Sequence, residues 1–301
     1  MSGHDPQFLG PLVPLPRADR PLRELPSTHF TVQLDTVRRL AAATVVDIDG
    51  ALLRDVPRDD AWHLDPRVPE TEQAGPELYA RNDLDRGHLV RRRDPGWGDE
   101  DEARRADAET FAYPDAAPQV ARFNQSKELW NGLEDHVLEH ARAQRSRLVV
   151  LTGPVLAPDD PVYRGVGISR LFWKVVAWAD DRAEGTAGDT ILAATAFVLD
   201  QSPQLAGTEL RTATARALAA GDVPPLGPFR TFQVPVGDVA ILTGLDLGPL
   251  VAADVLPADV LAPIEPGATG AGTSGTGPEP STAPVRAGWT ELHVPAQVRL
   301  P

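Results

Sequence analysis

The run Asp85-Arg86-Gly87-His88 holds the residue types that chemistry on a phosphate group requires. A neutral histidine in a loop can take a proton from water. The glycine before it allows the backbone to approach a ligand closely, and the arginine can pair with a phosphate oxygen. These residue types could therefore supply a base and a phosphate contact, although an isolated histidine in a polar loop is more often just exposed.

An ordered series of aromatic and polar residues follows this run and strengthens the prediction. Asn124 lies near the start of a predicted helix, and Glu134 follows ten positions later on the same helix. Glu134 lies just off the apolar stripe of that helix, so it can point towards a site at the helix edge. Oxygen ligands and water suit Mg²⁺, which needs few protein ligands. Outside such a series, we would interpret Asn124 as a helix cap and Glu134 as a solvated carboxylate.

A separate motif, Asp47-Ile48-Asp49-Gly50, follows an apolar strand and favours a different chemistry. Phosphatases of the haloacid-dehalogenase type use such a pair of aspartates as nucleophile and general acid beside Mg²⁺. The Thr or Ser expected after the glycine is replaced by Ala51, and no later apolar strand leads into a Gly-Asp pair with a further acidic ligand. We therefore interpret the motif as a strand that ends in a polar turn. A phosphatase that uses Asp47 and Asp49 is the less favoured alternative.

The Asp-Arg-Gly-His run and the residues after it resemble the DNA/RNA non-specific endonucleases of the ββα-metal, or His-Me finger, superfamily, the group that includes Serratia nuclease. The resemblance covers roughly residues 30–249. Besides the first run, it includes Pro118-Gln119, Asn124-Gln125, Trp130, Leu133-Glu134, Leu151-Thr152-Gly153-Pro154, Trp173-Lys174-Val175 and Leu242-Thr243-Gly244-Leu245. Several motifs in a fixed order are far more specific than any one of them.

The resemblance implies an α+β fold in which helices flank a central antiparallel β-sheet and a ββα-metal motif carries the active site. It implies a Mg²⁺-dependent endonuclease (Mn²⁺ is the alternative metal) that hydrolyses phosphodiester bonds of both DNA and RNA and leaves 5′-phosphorylated ends. By the same resemblance, His88 is the general base and Arg86 contacts the phosphate. Asn124 is then the metal ligand, and Glu134 serves the metal by orienting its waters.

Two departures from the family pattern affect the metal site. The spacing between Asn124 and Glu134 is slightly longer than is usual in the family, so either the start of the helix differs or Asn124 lies before the first turn. Asp115 stands where the family usually has an asparagine three positions before the Pro-Gln element. Asp115 could support the site from behind, bind the metal in place of Asn124, or be an exposed loop acid.

A third departure affects the arginines. Leu138 occupies a position where some members of the family have an arginine that stabilises the transition state, and Arg122 or Arg142 could substitute for it. Three more arginines come just after His88 and could bind the nucleic-acid backbone, or form a solvated charge run: Arg91, Arg92 and Arg93. Recognition through the phosphate backbone implies little base specificity.

Composition and charge restrict the other classes of protein. The 301-residue chain carries a formal net charge of −14 and contains no cysteine, which excludes a thiolate nucleophile, a disulfide scaffold and a thiolate zinc site. The negative charge argues against a generally basic surface for nucleic acid, although five arginines and only two acids lie between Arg81 and Arg93. No stretch resembles a signal peptide or a membrane helix, so we expect a cytoplasmic protein that does not bind membranes.

The elements that must position these residues can be predicted from periodicity. We expect an irregular proline-rich arm at 1–28, the endonuclease domain at 29–261, a flexible Gly/Thr/Pro linker at 262–287, and a tail at 288–301 that docks as a strand or serves in recognition. Strands are predicted at 30–35, 41–48, 148–152, 171–179, 190–199 and 231–236. Helices are predicted at 120–144, at 211–220 and from residue 236, and 99–109 is expected to be a charged surface segment.

Two further interpretations stay open. A catalytically impaired copy could bind nucleic acid or a partner without cutting it, and a pure interaction protein could use the linker and the tail. An active nuclease in the cytoplasm would endanger its host, so we expect a guard: an inhibitor, an activating protease or an assembly partner. A homodimer is compatible with the sequence, and a role in defence or as a toxin effector is a hypothesis.

Overall fold

The structure is a computed structural model that describes residues 3–58, 60–120, 134–135, 137–180, 190–203, 207–226, 230–256 and 288–293. Its strands are β1 (Arg17–Ala18), β2 (Arg23–Ser27), β3 (Phe30–Asp35), β4 (Leu40–Asp49), β5 (Leu84–His88), β6 (Ala116–Val120), β7 (Arg147–Pro154), β8 (Val162–Tyr163), β9 (Val166–Gly167), β10 (Leu171–Asp180), β11 (Ile191–Asp200), β12 (Arg230–Val234), β13 (Leu245–Asp246) and β14 (Thr290–Leu292). Its helices are α1 (Pro76–Tyr79), α2 (Glu100–Glu109), α3 (described at 134–135 and 137–144), α4 (Gly207–Ala220) and α5 (Val236–Thr243).

Within the described residues, eight strands form one antiparallel sheet in the order β14-β12-β11-β10-β7-β4-β3-β2. The central strands β4, β10 and β11 are ten residues long and rich in Val, Ala and aromatic side chains, which pack well on a sheet covered on both faces. The predicted central antiparallel sheet with helices around it is confirmed. None of the helices in the described ranges is long and apolar enough to cross a membrane.

The two faces of the sheet are covered by different parts of the chain. One face, which includes Ile48 and Val150, shares a buried cluster with Val137 and Ala141 of α3 and with Ala117 of β6. The other face shares a second cluster with three residues near the N-terminus and two of α5: Phe8, Leu9, Val13, Val236 and Val239. The elements that carry the proposed site therefore lie on the first face, and the N-terminal segment supports the sheet from behind.

The N-terminal segment is more ordered than we predicted. β2 pairs with β3 from Arg23↔Leu34 to Ser27↔Phe30, so it is an edge strand of the main sheet and not part of an irregular arm. The backbone N–H of Gly3 donates to Ser27, which holds the start of the described chain against β2. The boundary at residues 28 and 29 stays a prediction, but the segment before it packs as part of the fold.

Two other segments also differ from the expectation or fall outside it. Glu100–Glu109 form an α-helix, α2, and the Asp99 carboxylate accepts a hydrogen bond from Glu102 N as its N-terminal cap. At the other end of the chain, β14 pairs with β12 through Thr231↔Leu292 and so adds a strand to the sheet edge. The predicted linker at 262–287 lies outside the described residues.

Candidate active site

The Asp-Arg-Gly-His run lies on β5, which pairs with β6 in a separate two-stranded sheet. The register places Arg86 opposite Pro118 and His88 opposite Ala116. After β6 the chain leads to α3, whose first described residue is Glu134. Two short strands and the helix that follows them therefore carry the predicted catalytic residues, in the order that a ββα motif requires.

A cleft of about 670 Å³ opens between these elements. Its described lining comprises Arg58, Trp62, Asp85, Arg86, Gly87, His88, Arg91, Arg92, Arg93, Gln119, Glu134 and Asp135. The structure thus brings together three predicted catalytic residues, Arg86, His88 and Glu134, with the three predicted backbone-binding arginines. Five arginines against three carboxylates make this cleft locally positive on a protein of net charge −14.

His88 is half-buried in the cleft, and its surroundings keep the ring neutral. Burial first, and the nearby charges of Arg58 and Arg92 next, lower the pKa of His88 to about 4. Its Nε2 is buried with no hydrogen-bond partner among the described residues. The rings of Trp62 and Phe111 lie 4.7 and 5.1 Å from the imidazole, centre to centre, and fix its orientation. A neutral, fixed imidazole is suited to accept a proton.

Trp62 is a residue of the site that sequence reasoning missed. The guanidinium of Arg86 lies over the Trp62 ring, 5.2 Å from its centre, in a cation–π contact. Phe111 and Tyr113 pack against the same ring at 5.4 and 5.7 Å. The residue falls in a turn-rich stretch without periodicity, so no signal in a single sequence marks it, and only the fold shows that it positions both Arg86 and His88.

Glu134 reaches the cleft from α3 and is held from below by Lys174 of β10. The Lys174 Nζ lies 3.4 Å from Glu134 Oε1 and donates to Thr152 Oγ1 at 2.8 Å. The lysine side chain is 2% exposed and the glutamate side chain 10%. A buried pair of this kind fixes the direction of the carboxylate, because either charge alone would be costly to bury. The resemblance pointed to the segment around Lys174, but not to this role.

Asp115 is fully buried, so its interpretation as an exposed loop acid is wrong. Its Oδ1 accepts a hydrogen bond from Val90 N at 2.8 Å, and its carbonyl accepts one from Leu89 N at 2.9 Å. Both donors belong to the chain that directly follows His88. Burial raises the pKa of Asp115 well above the usual value for a carboxyl group. Asp115 is absent from the described lining of the cleft, which favours support of the histidine loop over metal ligation.

Asp94 is a second buried acid beneath the cleft and was not singled out from the sequence. Burial raises the pKa of Asp94 to about 7, against the lowering influence of Lys174 and Arg91. The charge of Glu134 acts in the same direction as burial. Lys174 and Arg91 are therefore the cations that offset the charge of Asp94, and Lys174 also pairs with Glu134.

The three consecutive arginines are each paired with a carboxylate. Arg91 pairs with Asp135, Arg92 with Asp107 at 2.8 Å, and Arg93 with Asp55 at 3.2 Å. Asp107 is buried, which makes the pairing of Arg92 part of the fold, whereas Asp55 and Asp135 are exposed. The interpretation of this run as free solvated charges therefore does not describe it: all three side chains are paired, and Arg92 is held in place by a buried acid.

The remaining predicted residues are only partly placed. Arg142 donates to Asp55 and is absent from the described lining of the cleft, so its position gives no support to a role at the reacting phosphate. Leu138 is 1% exposed and packs in the core beneath α3. Asn124 and Arg122 lie outside the described residues, and their assignments stay predictions.

The Asp-x-Asp-Gly motif has structural partners that explain its residues. The two carboxylate oxygens of Asp47 bind His4 Nδ1 at 2.5 Å and Asp5 N at 2.8 Å. Asp49 accepts from Arg147 Nε at 3.1 Å. Asp47 thus holds the N-terminal segment against the sheet, and neither aspartate lines the arginine-rich cleft. The phosphatase alternative gains no support from this arrangement.

The donor atoms of the cleft fit a hard cation that keeps most of its waters. Among the described residues, no three His, Asp or Glu side chains lie close enough to form an all-protein metal site. The cleft nevertheless offers oxygen atoms from Asp85, Gln119, Glu134 and Asp135, and Mg²⁺ is commonly bound through one or two carboxylates and several waters. The residues present therefore fit Mg²⁺ better than a metal that needs nitrogen or sulfur ligands.

Comparisons with known proteins agree with this geometry. A protein of Sinorhizobium fredii (strain NBRC 101917 / NGR234), named "Uncharacterized protein y4fB", is 35% identical over 249 residues, which cover 77% of the present chain. The chain spans 34% of the length of that relative. A solved structure titled "Crystal structure of the EndoG/EndoGI complex: Mechanism of EndoG inhibition" shares the fold with a TM-score of 0.50 at 18% identity, over 75% of this chain and 84% of that one.

The family comparison covers most of the chain, including the main sheet and the cleft. The sequence model of the DNA/RNA non-specific endonucleases matches residues 19–254. This range begins ahead of β2 and includes the Asp-Arg-Gly-His run, β6, α3 and the strand that carries Lys174. On these grounds the chain belongs to the DNA/RNA non-specific endonuclease family.

Proposed function

We propose that the chain is a Mg²⁺-dependent endonuclease, with Mn²⁺ as an alternative metal, that hydrolyses phosphodiester bonds in both DNA and RNA. The observation that carries the proposal is the placement of a neutral His88 beside Arg86 and Glu134 in a cleft lined by five arginines. Membership of the family supports the reaction type. The five arginines of the cleft suit the phosphate backbone, which DNA and RNA share, and this predicts little base specificity.

Each residue then has a defined task. His88 accepts a proton from the attacking water at a ring nitrogen, and Arg86, steadied by the Trp62 ring, binds a non-bridging oxygen of the scissile phosphate. Asn124 and Glu134 are the residues that we assign to the metal, Asn124 as ligand and Glu134 through its waters. A bound Mg²⁺ would supply Lewis-acid stabilisation of charge at the phosphate and the leaving oxygen. Asp115 is a candidate ligand by resemblance, but its hydrogen bonds suit it to positioning the loop after His88.

The test is cleavage of supercoiled plasmid and of a folded RNA by the full chain, with Mg²⁺ or with EDTA. His88→Ala should lose cleavage of both substrates, while His293→Ala, which removes an exposed histidine at the far sheet edge, should not. Cleavage that continues in EDTA, or in His88→Ala, would overturn the proposal. Nucleic-acid binding without cleavage by the native chain would favour a catalytically impaired copy, for which the buried Leu138 is the motivating observation.

The biological setting is a further part of the proposal. We propose a cytoplasmic enzyme restrained by an inhibitor, an activating protease or an assembly partner, with a role in defence or as a toxin effector. Support for an inhibitor comes from the similar fold whose title describes inhibition of EndoG by EndoGI. Binding of a purified host protein that abolishes plasmid cleavage would support this form of restraint, and full activity in a host lysate would argue against it.

A further inference from the structure

The loop after β4 carries a carboxylate that two arginines hold at the rim of the cleft. Asp55 Oδ1 accepts from Arg93 at 3.2 Å and from Arg142 at 3.1 Å, and its Oδ2 accepts from Arg142 at 3.4 Å. Arg93 comes from the loop after β5 and lines the cleft, whereas Arg142 comes from α3. Two guanidinium groups from separate elements therefore converge on one small anion.

The fold does not depend on this particular anion. The Asp55 side chain is 70% exposed, whereas those of Arg93 and Arg142 are 28% and 34% exposed. An ion pair with so exposed a carboxylate contributes little to stability, and the two arginines are the less exposed half of the arrangement. Glu139 is the other acid near them, with its Oε1 3.8 Å from Arg93. The hydrogen bonds of both arginines lower the pKa of Asp55, which keeps the carboxylate ionised.

The residues that follow Asp55 in the same loop border the substrate cleft. Val56 O accepts a hydrogen bond from Arg92 at 3.4 Å, and Arg58 lines the cleft. Arg93 lines the cleft and also holds Asp55, so it links the arginines of the cleft to this carboxylate. The anion held there is an exposed side chain that belongs to neither β4 nor α3.

A phosphodiester group matches the chemistry that now holds Asp55. It carries one negative charge on two equivalent oxygens, as a carboxylate does, and guanidinium forks bind both groups in a bidentate manner. We propose that Arg93 and Arg142 form a second phosphate-binding site, for a backbone phosphate away from the scissile one, and that Asp55 occupies this site until the nucleic acid displaces it. The inference rests on the proposed function, because it names how that substrate is held.

This arrangement predicts opposite effects for the acid and for the two arginines. Asp55→Asn should tighten nucleic-acid binding, because it removes the competing anion and leaves both arginines in place. The expected gain is roughly twofold to fivefold, since an exposed ion pair of this kind is weak. Arg93→Gln and Arg142→Gln should each weaken binding by roughly tenfold and reduce the slope of log affinity against log salt by about one.

The experiment is fluorescence anisotropy with a labelled DNA duplex and the full chain carrying His88→Ala, in EDTA, over a range of salt concentrations. Glu100→Gln is the matched control, because it removes the acid of an exposed Arg104 pair on α2 and changes the net charge equally. It should leave the affinity nearly unchanged at physiological salt. Arg93→Lys and Arg142→Lys keep the charge but lose the fork, so they should bind more weakly than the native residues.

The outcomes separate the inference from the function on which it rests. Native affinity in all three neutralising variants, while the chain with its native His88 still cleaves plasmid in Mg²⁺, would overturn the second phosphate site alone. Two other results would also overturn the second phosphate site, because they would show that Asp55, Arg93 and Arg142 form a structural ion pair. One is weaker binding by Asp55→Asn. The other is a lower melting temperature together with a lower affinity, to a similar extent in all three variants. If the native chain neither binds nor cleaves any nucleic acid, both the site and the proposed function are wrong.

Discussion

At the scale of single residues, the protonation of His88 follows from its neighbours and not from its own chemistry. An exposed histidine titrates near neutral pH, so a fraction of it would be charged and unable to accept a proton. Here burial first, and the arginines at 58 and 92 next, lower its pKa to about 4. The arginines that we propose bind the polyanion therefore also keep the proposed base neutral.

This environment predicts an unusual acid limb in the pH profile. The folded pKa is below that of a free histidine, so His88 stays neutral as pH falls and becomes charged only near pH 4. The kcat/KM for plasmid, which reports the free enzyme, should therefore hold down to about pH 5 before it declines. Arg58→Gln removes a charge that lowers the pKa, so it should move the acid limb to higher pH. Arg104→Gln on α2 is the control, and an equal movement there would contradict the local explanation.

The roles of three site residues could be predicted from the sequence. The roles of three others could not, because they depend on tertiary contacts. Arg86, His88 and Glu134 belong to contiguous motifs whose residue types state their chemistry. Trp62, Asp94 and Lys174 acquire their roles only through tertiary contacts, the first by stacking and the other two by charge compensation in the interior. Such roles depend on which elements meet, and nothing in the local sequence records that.

At the scale of elements, predictions succeeded where periodicity is strong. The apolar strands of the main sheet were found, with small differences at their ends, because their residues are buried on both faces. α2 was missed because its buried side is made of Ala103 and Ala106, which leave no apolar stripe in a charged segment. The N-terminal segment was missed because its anchor, the hydrogen-bonded pair of His4 and Asp47, joins positions far apart in sequence.

The glycine of the Asp-x-Asp-Gly motif, Gly50, is explained by helix packing. A Cβ at this position would lie 1.9 Å from the carbonyl oxygen of Ala141, so only glycine lets the end of β4 approach α3. Gly50→Ala should therefore displace the helix that carries Glu134 and lower the free energy of unfolding by about 3 kcal/mol. Gly237→Ala is the matched control, since its Cβ would meet only Val251 at 3.7 Å. Urea denaturation that gives equal values for both variants would exclude this explanation.

Lys174 of β10 forms a buried ion pair with Glu134 of α3. Lys174→Met keeps much of the side-chain volume but removes the buried cation that pairs with Glu134 and acts on Asp94. We expect a loss of about 3–5 kcal/mol in the free energy of unfolding, as for the removal of one partner from a buried ion pair. Arg104→Met, which breaks an exposed pair, should barely change it. A Lys174→Met variant as stable as the native chain would show that the interior acids are neutral without the lysine.

At the scale of the whole molecule, an acidic protein presents a cleft lined by arginines. The net charge of −14 should slow the encounter with a polyanion, while the cleft supplies local attraction. Because several arginines meet several phosphates, kcat/KM for DNA should fall by roughly two orders of magnitude between about 50 and 200 mM salt. A small phosphodiester with one phosphate group should respond far less. Equal salt responses for both substrates would contradict binding along the backbone.

The central claim is that His88 is the general base of a metal-dependent nuclease, and one measurement tests it most directly. The rate of plasmid cleavage in Mg²⁺ is compared for the native chain, His88→Ala, and His88→Ala with added imidazole, which the cleft of about 670 Å³ can admit. We predict a loss of roughly 10²- to 10⁴-fold in His88→Ala, the usual contribution of a general base, and partial recovery with imidazole. Cleavage by His88→Ala at the native rate would contradict the claim.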